Sequence, residues 1–170
     1  MASSDKKRFA AVALSATAIF LLMIHTLVTL NNGKYSVAID TQRNFHCLPW
    51  TVFWVEKSPS EWKPARGDLV QYEARRMGHG FDQMKVVKLI VGVAGDRIEV
   101  RSGRVFINGT YMGGLNLLQE LKKSVGDYER TIIVPPGRYF VMGSQPFSYD
   151  SRYWGLITDE EILGRASPLF

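Results

Sequence analysis

The longest apolar stretch of the chain lies near its N-terminus. Residues 9–30 contain no charged side chain, and a helix of that length can cross the hydrocarbon core of a bilayer. Basic residues occupy positions 6–8, whereas only Lys34 and Arg43 follow the stretch closely. This asymmetry predicts a cytoplasmic N-terminus and an exported remainder. The chain is therefore predicted to consist of a cytoplasmic N-terminus (1–8), a transmembrane anchor (9–30) and an exported domain (31–170).

A cleaved signal sequence is the alternative interpretation of this stretch. Its apolar length exceeds the ~7–15 residues of a signal core, and residues 29–33 form a poor cleavage site because they lack the small-x-small pattern. We therefore expect a retained anchor. His25 stands alone within it and is interpreted as a packing residue rather than as a proton site.

Beyond the anchor, short apolar or alternating segments are separated by turns rich in glycine and proline. A polar tail containing a short apolar segment at 157–162 follows them. The pattern predicts a mostly β domain with antiparallel sheets. The predicted strands are 35–39, 69–72, 85–93, 97–101, 104–107, 131–134 and 138–142. Residues 47–55 are predicted to form a turn at Pro49 that leads into an aromatic strand.

Turn residues predict how some of these strands are connected. Ser102-Gly103 predicts a hairpin between its two flanking strands, and 135–137 predicts a second one. Asn108-Gly109-Thr110 matches a glycosylation pattern but is interpreted as a turn. Residues 115–123 have helical spacing and predict one short surface helix.

Lys88 is the most informative polar residue, because it lies inside an apolar strand. Val86, Lys88 and Ile90 share one face of that strand, so the lysine points where apolar side chains point. A buried ammonium is costly, and a buried lysine tends to act as a neutral amine and general base. On the strand alone, the alternative is a lysine whose amine reaches solvent at a sheet edge.

Composition narrows the range of functions. The net charge of +5 is partly the basic cluster before the anchor, and no basic run interleaved with aromatics indicates nucleic-acid binding. A metal site is not predicted, because one cysteine and two exported histidines, His46 and His79, lack ligand spacing. No cofactor is predicted. Cys47 is the only cysteine, so it cannot form a disulfide within the chain; it is a packed residue, an intermolecular link or a reactive thiol.

Several motifs occur in an order that resembles the type I signal peptidase family, whose enzymes use a serine-lysine dyad. The resemblance covers nearly all of the exported part, and it implies an antiparallel β-sheet fold of the signal-peptidase kind with an N-terminal transmembrane helix. The ordered motifs are Cys47-Leu48-Pro49, Arg66-Gly67-Asp68-Leu69-Val70, Lys88 with Gly92 and Gly95-Asp96, Tyr139-Phe140-Val141-Met142-Gly143, and Ser148-x-Asp150-Ser151-Arg152-Tyr153-Trp154-Gly155.

The resemblance implies a role for five residues. Cys47 falls at the nucleophile and Lys88 at the general base. Ser148 falls at the serine that hydrogen-bonds the lysine amine. Asp150 and Arg152 fall at an ion pair that holds the wall of the active site.

The short spacing between Cys47 and Pro49 is similar to that of the TraF-type conjugative transfer peptidases. Those enzymes mature a propilin for type IV secretion, and some cyclise it. The resemblance therefore implies a membrane-anchored endopeptidase with a propilin or preprotein substrate and other conjugative transfer proteins as partners. It implies an inner-membrane location with the catalytic domain in the periplasm. Cofactors and nucleic acid are not implied.

Three residues depart from the family pattern. Cys47 replaces serine, and a thiol ionises more easily than a hydroxyl, so a cysteine-lysine dyad is chemically sound. Phe45 replaces a Ser or Thr whose hydroxyl assists the oxyanion hole, which leaves the Cys47 N–H plus a donor such as Asn44 or His46. Ser144 stands where general signal peptidases have Asp.

Other functions remain as alternatives. The main one is a non-catalytic structural member of the pilus-assembly apparatus that retains the peptidase fold. A papain-like Cys-His enzyme is disfavoured, because His46 adjoins Cys47 and adjacent residues of an extended segment point apart. A self-cleaving repressor-type protease is disfavoured by the membrane span and by the lack of a DNA-binding motif.

The aromatic residues after Cys47 suggest contact with the lipid bilayer. Trp50 and Trp54 share one face of the predicted strand, and Phe53 lies on the other. One set is expected to pack in the core, while the other can lie in the lipid interface, where Trp is favoured.

Overall fold

The computed structural model describes residues 2–30, 33–41, 47–57, 61–75, 77–78 and 83–170. The chain divides into two compact units, Met1–Tyr35 and Ser36–Phe170. The first contains one long helix, and the second contains almost all of the β structure.

Helix α1 spans Ala2–Leu30 and begins before the apolar stretch does. Within this helix, the segment Ala11–Val28 has a mean hydropathy of 2.2, and none of it is buried against the rest of the protein. By length and composition the helix can therefore cross a membrane. The hydroxyls of Ser15, Thr17 and Thr26 each donate to the carbonyl four residues earlier. These bonds satisfy the polar groups of an otherwise apolar helix surface.

The second unit is mostly antiparallel β-sheet, as predicted. Its one short α-helix among the described residues, α2, spans Ser151–Trp154. Its strands are β1 (Tyr35–Ile39, which begins in the first unit), β2 (Val52–Lys57), β3 (Leu69–Glu73), β4 (Lys85–Gly92), β5 (Arg97–Arg101), β6 (Arg104–Ile107), β7 (Thr110–Gly114), β8 (Arg130–Ile133), β9 (Arg138–Met142), β10 (Ile157–Thr158) and β11 (Ile162–Pro168).

These strands form two sheets. The larger has the order β1-β2-β11-β3-β4-β9-β10, and the smaller has the order β7-β6-β5-β8. Strand β11 lies in the middle of the larger sheet, between β2 and β3, although the sequence pattern predicted no strand beyond residue 162. Its alternation is interrupted by polar and small residues such as Gly164 and Ser167, and this hides its central position.

The predicted helix at 115–123 is wrong. The segment forms turns that contain one helical bond, from the Leu121 N–H to the Leu117 carbonyl. The N–H groups of Lys122 and Lys123 then bond back to Gln119 and Leu118, and Lys122 has a φ of 52°. This is a Schellman-type ending, which stops the helix after a single turn.

The predicted hairpin around residues 135–137 is also wrong. Strand β8 pairs with β5 in the smaller sheet, whereas β9 pairs with β4 and β10 in the larger sheet. The Pro-Pro-Gly turn therefore connects two sheets. Proline supplies no N–H for a strand ladder, which suits a segment that leaves one sheet for another.

The other turn predictions are confirmed. Strands β5 and β6 form a hairpin closed by Ser102 and Gly103, with φ angles of 49° and 70°. Asn108 and Gly109 close the next hairpin, with φ angles of 49° and 82°. Two successive positive φ angles are typical of the type I′ turn, whose twist matches that of paired strands.

Candidate active site

Lys88 lies on β4, the fifth strand in the order of the larger sheet. Its partner across the β3 pairing is Val70, and its side chain is only 1% exposed. The amine Nζ donates a hydrogen bond of 2.9 Å to Ser148 Oγ, and Ser148 is also 1% exposed. Within the described part of the chain, no carboxylate forms an ion pair with this amine. The structure therefore brings Lys88 and Ser148 together in a buried polar contact.

The side of β4 that faces away from β3 is open next to Lys88. Pairing between β4 and β9 begins at Leu89, so Lys85–Lys88 has a strand partner on one side only among the described residues. This edge borders a cavity of about 640 Å³. An unpaired strand edge beside a cavity can accept an extended peptide as an additional strand.

Cys47 lines the same cavity as Lys88. Its thiol is free and the residue is half-buried. The carbonyl of Cys47 accepts a hydrogen bond of 3.3 Å from the Gln145 N–H. This bond ties the start of the cysteine segment to the loop that leads from β9 to Ser148.

Gly143 fills the narrow space between Cys47 and Ser148. A methyl group added at Gly143 would overlap both Ser148 Oγ and the Cys47 carbonyl, and it would lie 2.6 Å from Ser148 Cβ. Only glycine allows this close approach of the two segments. The sequence places Gly143 in a Met-Gly motif, but it contains no indication of this packing role.

Asp150 and Arg152 form a fully buried ion pair behind Ser148. Arg152 Nε lies 2.8 Å from Asp150 Oδ1, and Nη2 lies 2.9 Å from Oδ2. The side chains of Asp150 and Arg152 are 0% and 2% exposed. Asp150 also caps helix α2 by accepting from the Arg152 N–H at 3.2 Å, and it accepts from the Gly143 N–H at 3.0 Å. The carboxylate thus holds both the glycine and the helix.

Arg152 extends this network to the backbone around the site. It donates to the Ser148 carbonyl at 2.9 Å and to the Gly114 carbonyl at 2.8 Å. Burial by itself would lower the pKa of Arg152, but the hydrogen bonds and charge of Asp150 raise it. The guanidinium therefore remains charged and holds the Ser148 loop in place.

Arg130 supports the same helix from the smaller sheet, and no sequence motif pointed to it. Its Nη2 donates to the carbonyls of Ser151 and Arg152, both at 3.0 Å. Burial lowers the pKa of Arg130 from its ordinary value. These carbonyls belong to the four-residue helix α2, so a cation at that position satisfies acceptors that the helix itself cannot.

Asp96 connects the two sheets beyond the end of β4. It accepts from the Val93 N–H at 2.7 Å and from Asn108 Nδ2 at 2.8 Å, and it pairs with Arg66 at 2.6 Å. Burial alone would raise the pKa of Asp96, but these hydrogen bonds and the Arg66 charge lower it. Arg66 also donates to the Val91 carbonyl. The Arg66-Gly67-Asp68 motif is thus tied to the strand that carries Lys88.

The aromatic residues after Cys47 alternate as predicted. Trp50 and Trp54 are 38% and 41% exposed, whereas Phe53 is 2% exposed and packs in the core. Ser144 is exposed. Asn44, Phe45, His46 and His79 lie outside the described residues. Within the described ranges, no group of three or more His, Cys, Asp or Glu side chains could hold a metal ion.

Comparisons with known proteins identify the family. A family model described as signal peptidase, peptidase S26, matches residues 7–170. The chain is 32% identical to a probable signal peptidase I-2 of Synechocystis over 107 residues, which are 61% of this chain and 46% of the relative. It is 31% identical to signal peptidase IB of Staphylococcus aureus over 96 residues, which are 48% of this chain and 50% of the relative. The chain thus spans about half the length of these relatives.

A solved structure of a signal peptidase I from Enterococcus faecalis is 25% identical to the chain. The similarity covers 62% of this chain and 98% of that structure, with a TM-score of 0.41. The family model covers almost the whole chain and carries the assignment by itself. The chain belongs to the peptidase S26 family of signal peptidases.

Proposed function

We propose that this chain is a membrane-anchored endopeptidase in which Cys47 is the nucleophile and Lys88 the general base. The observation that carries the proposal is the position of Lys88. Its amine is buried, bonded to Ser148 and free of a carboxylate partner among the described residues, and it shares a cavity with the Cys47 thiol. An amine in such a position can take a proton from a neighbouring nucleophile.

The substrate binds as an extended segment beside β4. The open edge at Lys85–Lys88 supplies main-chain donors and acceptors, and alternate substrate side chains enter the cavity. Val86, Met84 and Tyr149 are among the residues that line it. This mode of binding brings the scissile carbonyl next to Cys47.

Catalysis then proceeds by acyl transfer. Lys88 takes the thiol proton, and the sulfur attacks the scissile carbonyl to form a tetrahedral oxyanion. The Cys47 N–H donates to that oxyanion. The oxyanion collapses, the C–N bond breaks, and Lys88 returns the proton to the leaving amine. A thioester joins the substrate to Cys47 until a second nucleophile releases it.

Ser148, Asp150 and Arg152 have supporting roles in this scheme. Ser148 orients the lysine amine through the 2.9 Å hydrogen bond. Asp150 and Arg152 hold the Ser148 carbonyl and the Gly143 N–H, and thereby fix the loop that carries Ser148. None of the three needs to contact the substrate.

The proposed substrate is a propilin of a conjugative type IV secretion system. The support is the spacing of Cys47 and Pro49, which resembles that of the TraF-type peptidases. Water releases a linear pilin from the thioester. If the N-terminal amine of the same pilin attacks instead, the thioester bond breaks, a peptide bond forms, and the cyclic product is lighter than the linear one by one water. Other conjugative transfer proteins are the proposed partners.

The proposed location is the inner membrane, with one crossing and the domain in the periplasm. Helix α1 has the length and composition to cross, and the basic residues before its apolar part favour a cytoplasmic N-terminus. Trp50 and Trp54 are exposed and suit the lipid interface. Contact at that level would place the cavity where a membrane-inserted precursor emerges.

Processing of the propilin by matched variants tests this proposal. Full-length chains carrying wild-type Cys47, Cys47→Ala, Cys47→Ser or Lys88→Met are expressed with the cognate pilin, and the pilin is weighed by mass spectrometry. Loss of processing is expected in Cys47→Ala and Lys88→Met, with Lys123→Met as the active control, because Lys123 is exposed and does not line the cavity. A mature pilin lighter by one water than the linear product would assign cyclisation. Unchanged processing in Cys47→Ala would instead support a non-catalytic member of the assembly apparatus.

A further inference from the structure

Two buried polar atoms near the site have no partner among the described residues. They are the hydroxyl of Tyr72, on β3, and the indole Nε1 of Trp154, in α2. Tyr72 is 1% exposed, and the two ring centroids are 6.0 Å apart. A buried donor without an acceptor is costly, and native proteins rarely leave one unpaired.

Both aromatic residues line one small cavity, separate from the cavity of Cys47. The volume of this cavity that is open to the centre of a water molecule is about 10 Å³, which is close to the minimum that one water molecule requires. Glu161, only 4% exposed, lines the same cavity. Its Oε2 accepts a hydrogen bond of 2.8 Å from the Thr158 N–H at the start of the 3-10 helix Asp159–Glu161.

The donors and acceptors around this cavity complement a water molecule. An indole N–H can only donate, and an ionised carboxylate can only accept. Burial, and then the charges of Asp150, Cys47 and Glu161, raise the pKa of Tyr72 well above its ordinary value. The phenol therefore keeps its proton and can donate. Water has two lone pairs for two donors and two protons for acceptors.

We propose that Tyr72, Trp154 and Glu161 bind one water molecule in this small cavity, which accepts from the phenol and the indole and donates to the carboxylate. The three residues come from β3, α2 and the 3-10 helix before β11. The water thus joins α2 to the face of the sheet that carries Lys88. Helix α2 also contains Arg152, which holds the Ser148 carbonyl.

The sign of the stability change in Tyr72→Phe tests this binding site. If the hydroxyl binds the water, its removal lowers the Tm of the full-length chain in detergent micelles by about 2–4 °C. If the hydroxyl is unpaired, its removal relieves a penalty and raises the Tm. Tyr111→Phe is the control, because Tyr111 is 58% exposed and its loss is expected to leave the Tm unchanged.

A second measurement observes the water itself. In the ¹⁵N-labelled chain, the Trp154 Nε1–H is identified by its disappearance in Trp154→Phe. If the water is bound, a nuclear Overhauser cross peak is expected between this proton and the water resonance, with the sign that indicates a water held longer than the tumbling time of the protein. This cross peak is expected to weaken in Tyr72→Phe. The cross peak together with a lowered Tm supports the site. A raised Tm in Tyr72→Phe, or no cross peak in the wild type, overturns it.

Discussion

The Lys88 amine and the Ser148 hydroxyl lie 2.9 Å apart, with both residues 1% exposed. The contact joins β4 to the loop after β9, 60 positions later in the chain. Because the hydrogen bond is buried, it fixes the direction of the lysine amine more firmly than an exposed contact would.

Removal of the Ser148 hydroxyl is expected to slow catalysis without unfolding the chain. In Ser148→Ala the Lys88 amine loses its hydrogen-bond acceptor and samples other orientations. The loss of one hydrogen bond to the amine is expected to lower kcat by about 10- to 100-fold. The measurement is single-turnover cleavage of a membrane-inserted precursor. Ser144→Ala, which alters an exposed serine four positions earlier, is the matched control and keeps the wild-type rate. A Ser148→Ala rate equal to that of the control would remove Ser148 from the site.

Gly143→Ala is expected to slow precursor cleavage strongly. The added methyl group would overlap Ser148 and the Cys47 carbonyl, so one of the two segments must move. Both segments carry groups assigned to catalysis, and a displacement of about 1 Å can reduce the rate about 100-fold. Cleavage assays and Tm values of Gly143→Ala and Gly126→Ala provide the measurement. Gly126 has ordinary space around it, with its nearest atom 3.8 Å from an added Cβ. Full activity in Gly143→Ala would show that the close approach is not required.

The Asp150–Arg152 pair is expected to stabilise the domain only as a pair. Either Asp150→Asn or Arg152→Met leaves a buried group without its partner and lowers the free energy of unfolding by about 3–5 kcal/mol. The double variant Asp150→Asn/Arg152→Met is expected to lose less free energy of unfolding than the sum of the losses in the two single variants. Denaturant titration of the four proteins measures this coupling. The exposed Arg97–Glu99 pair is the reference, and Glu99→Gln is expected to cost about 0–1 kcal/mol. Additive losses at Asp150 and Arg152 would contradict the role of the pair.

Asp96 is expected to contribute stability that depends on pH. Its folded pKa is lower than its unfolded value of about 3.9, so the contribution is present above that value and is lost as the pH falls through the folded pKa. At pH 7, Asp96→Asn is therefore less stable than the wild type, and the difference shrinks as the pH falls below about 4. Denaturant titrations at pH 7 and at about pH 3 measure both differences. An equal difference at the two pH values would contradict this linkage.

The sequence predicted those features that depend on local pattern. Alternation on β4 placed Lys88 on an apolar face, and paired turn residues predicted the hairpin at Ser102 and Gly103. The order of the motifs led to the family. Each of these signals is contained in a few consecutive residues, so a single sequence is sufficient to read them.

The features that the sequence missed depend on contacts between distant segments. Strand β11 has weak alternation, and its central position follows from pairing with β2 and β3. The helical spacing at 115–123 was misleading, because Leu115 and Leu117 pack against the core of the smaller sheet from turns. Gly143 and Arg130 act through segments far away in the chain. No local pattern reports such contacts.

Trapping of the covalent intermediate tests the cysteine-lysine assignment most directly. The full-length chain is mixed with precursor, quenched in acid within one turnover, digested and analysed by mass spectrometry. A Cys47 nucleophile with Lys88 as its base predicts a substrate fragment attached to Cys47 through a thioester that hydroxylamine removes. This fragment is expected in Lys123→Met, and it is expected to be absent from Lys88→Met and Cys47→Ala. Precursor cleavage by Cys47→Ala at the wild-type rate, with no fragment on Cys47 in the wild type, would contradict it.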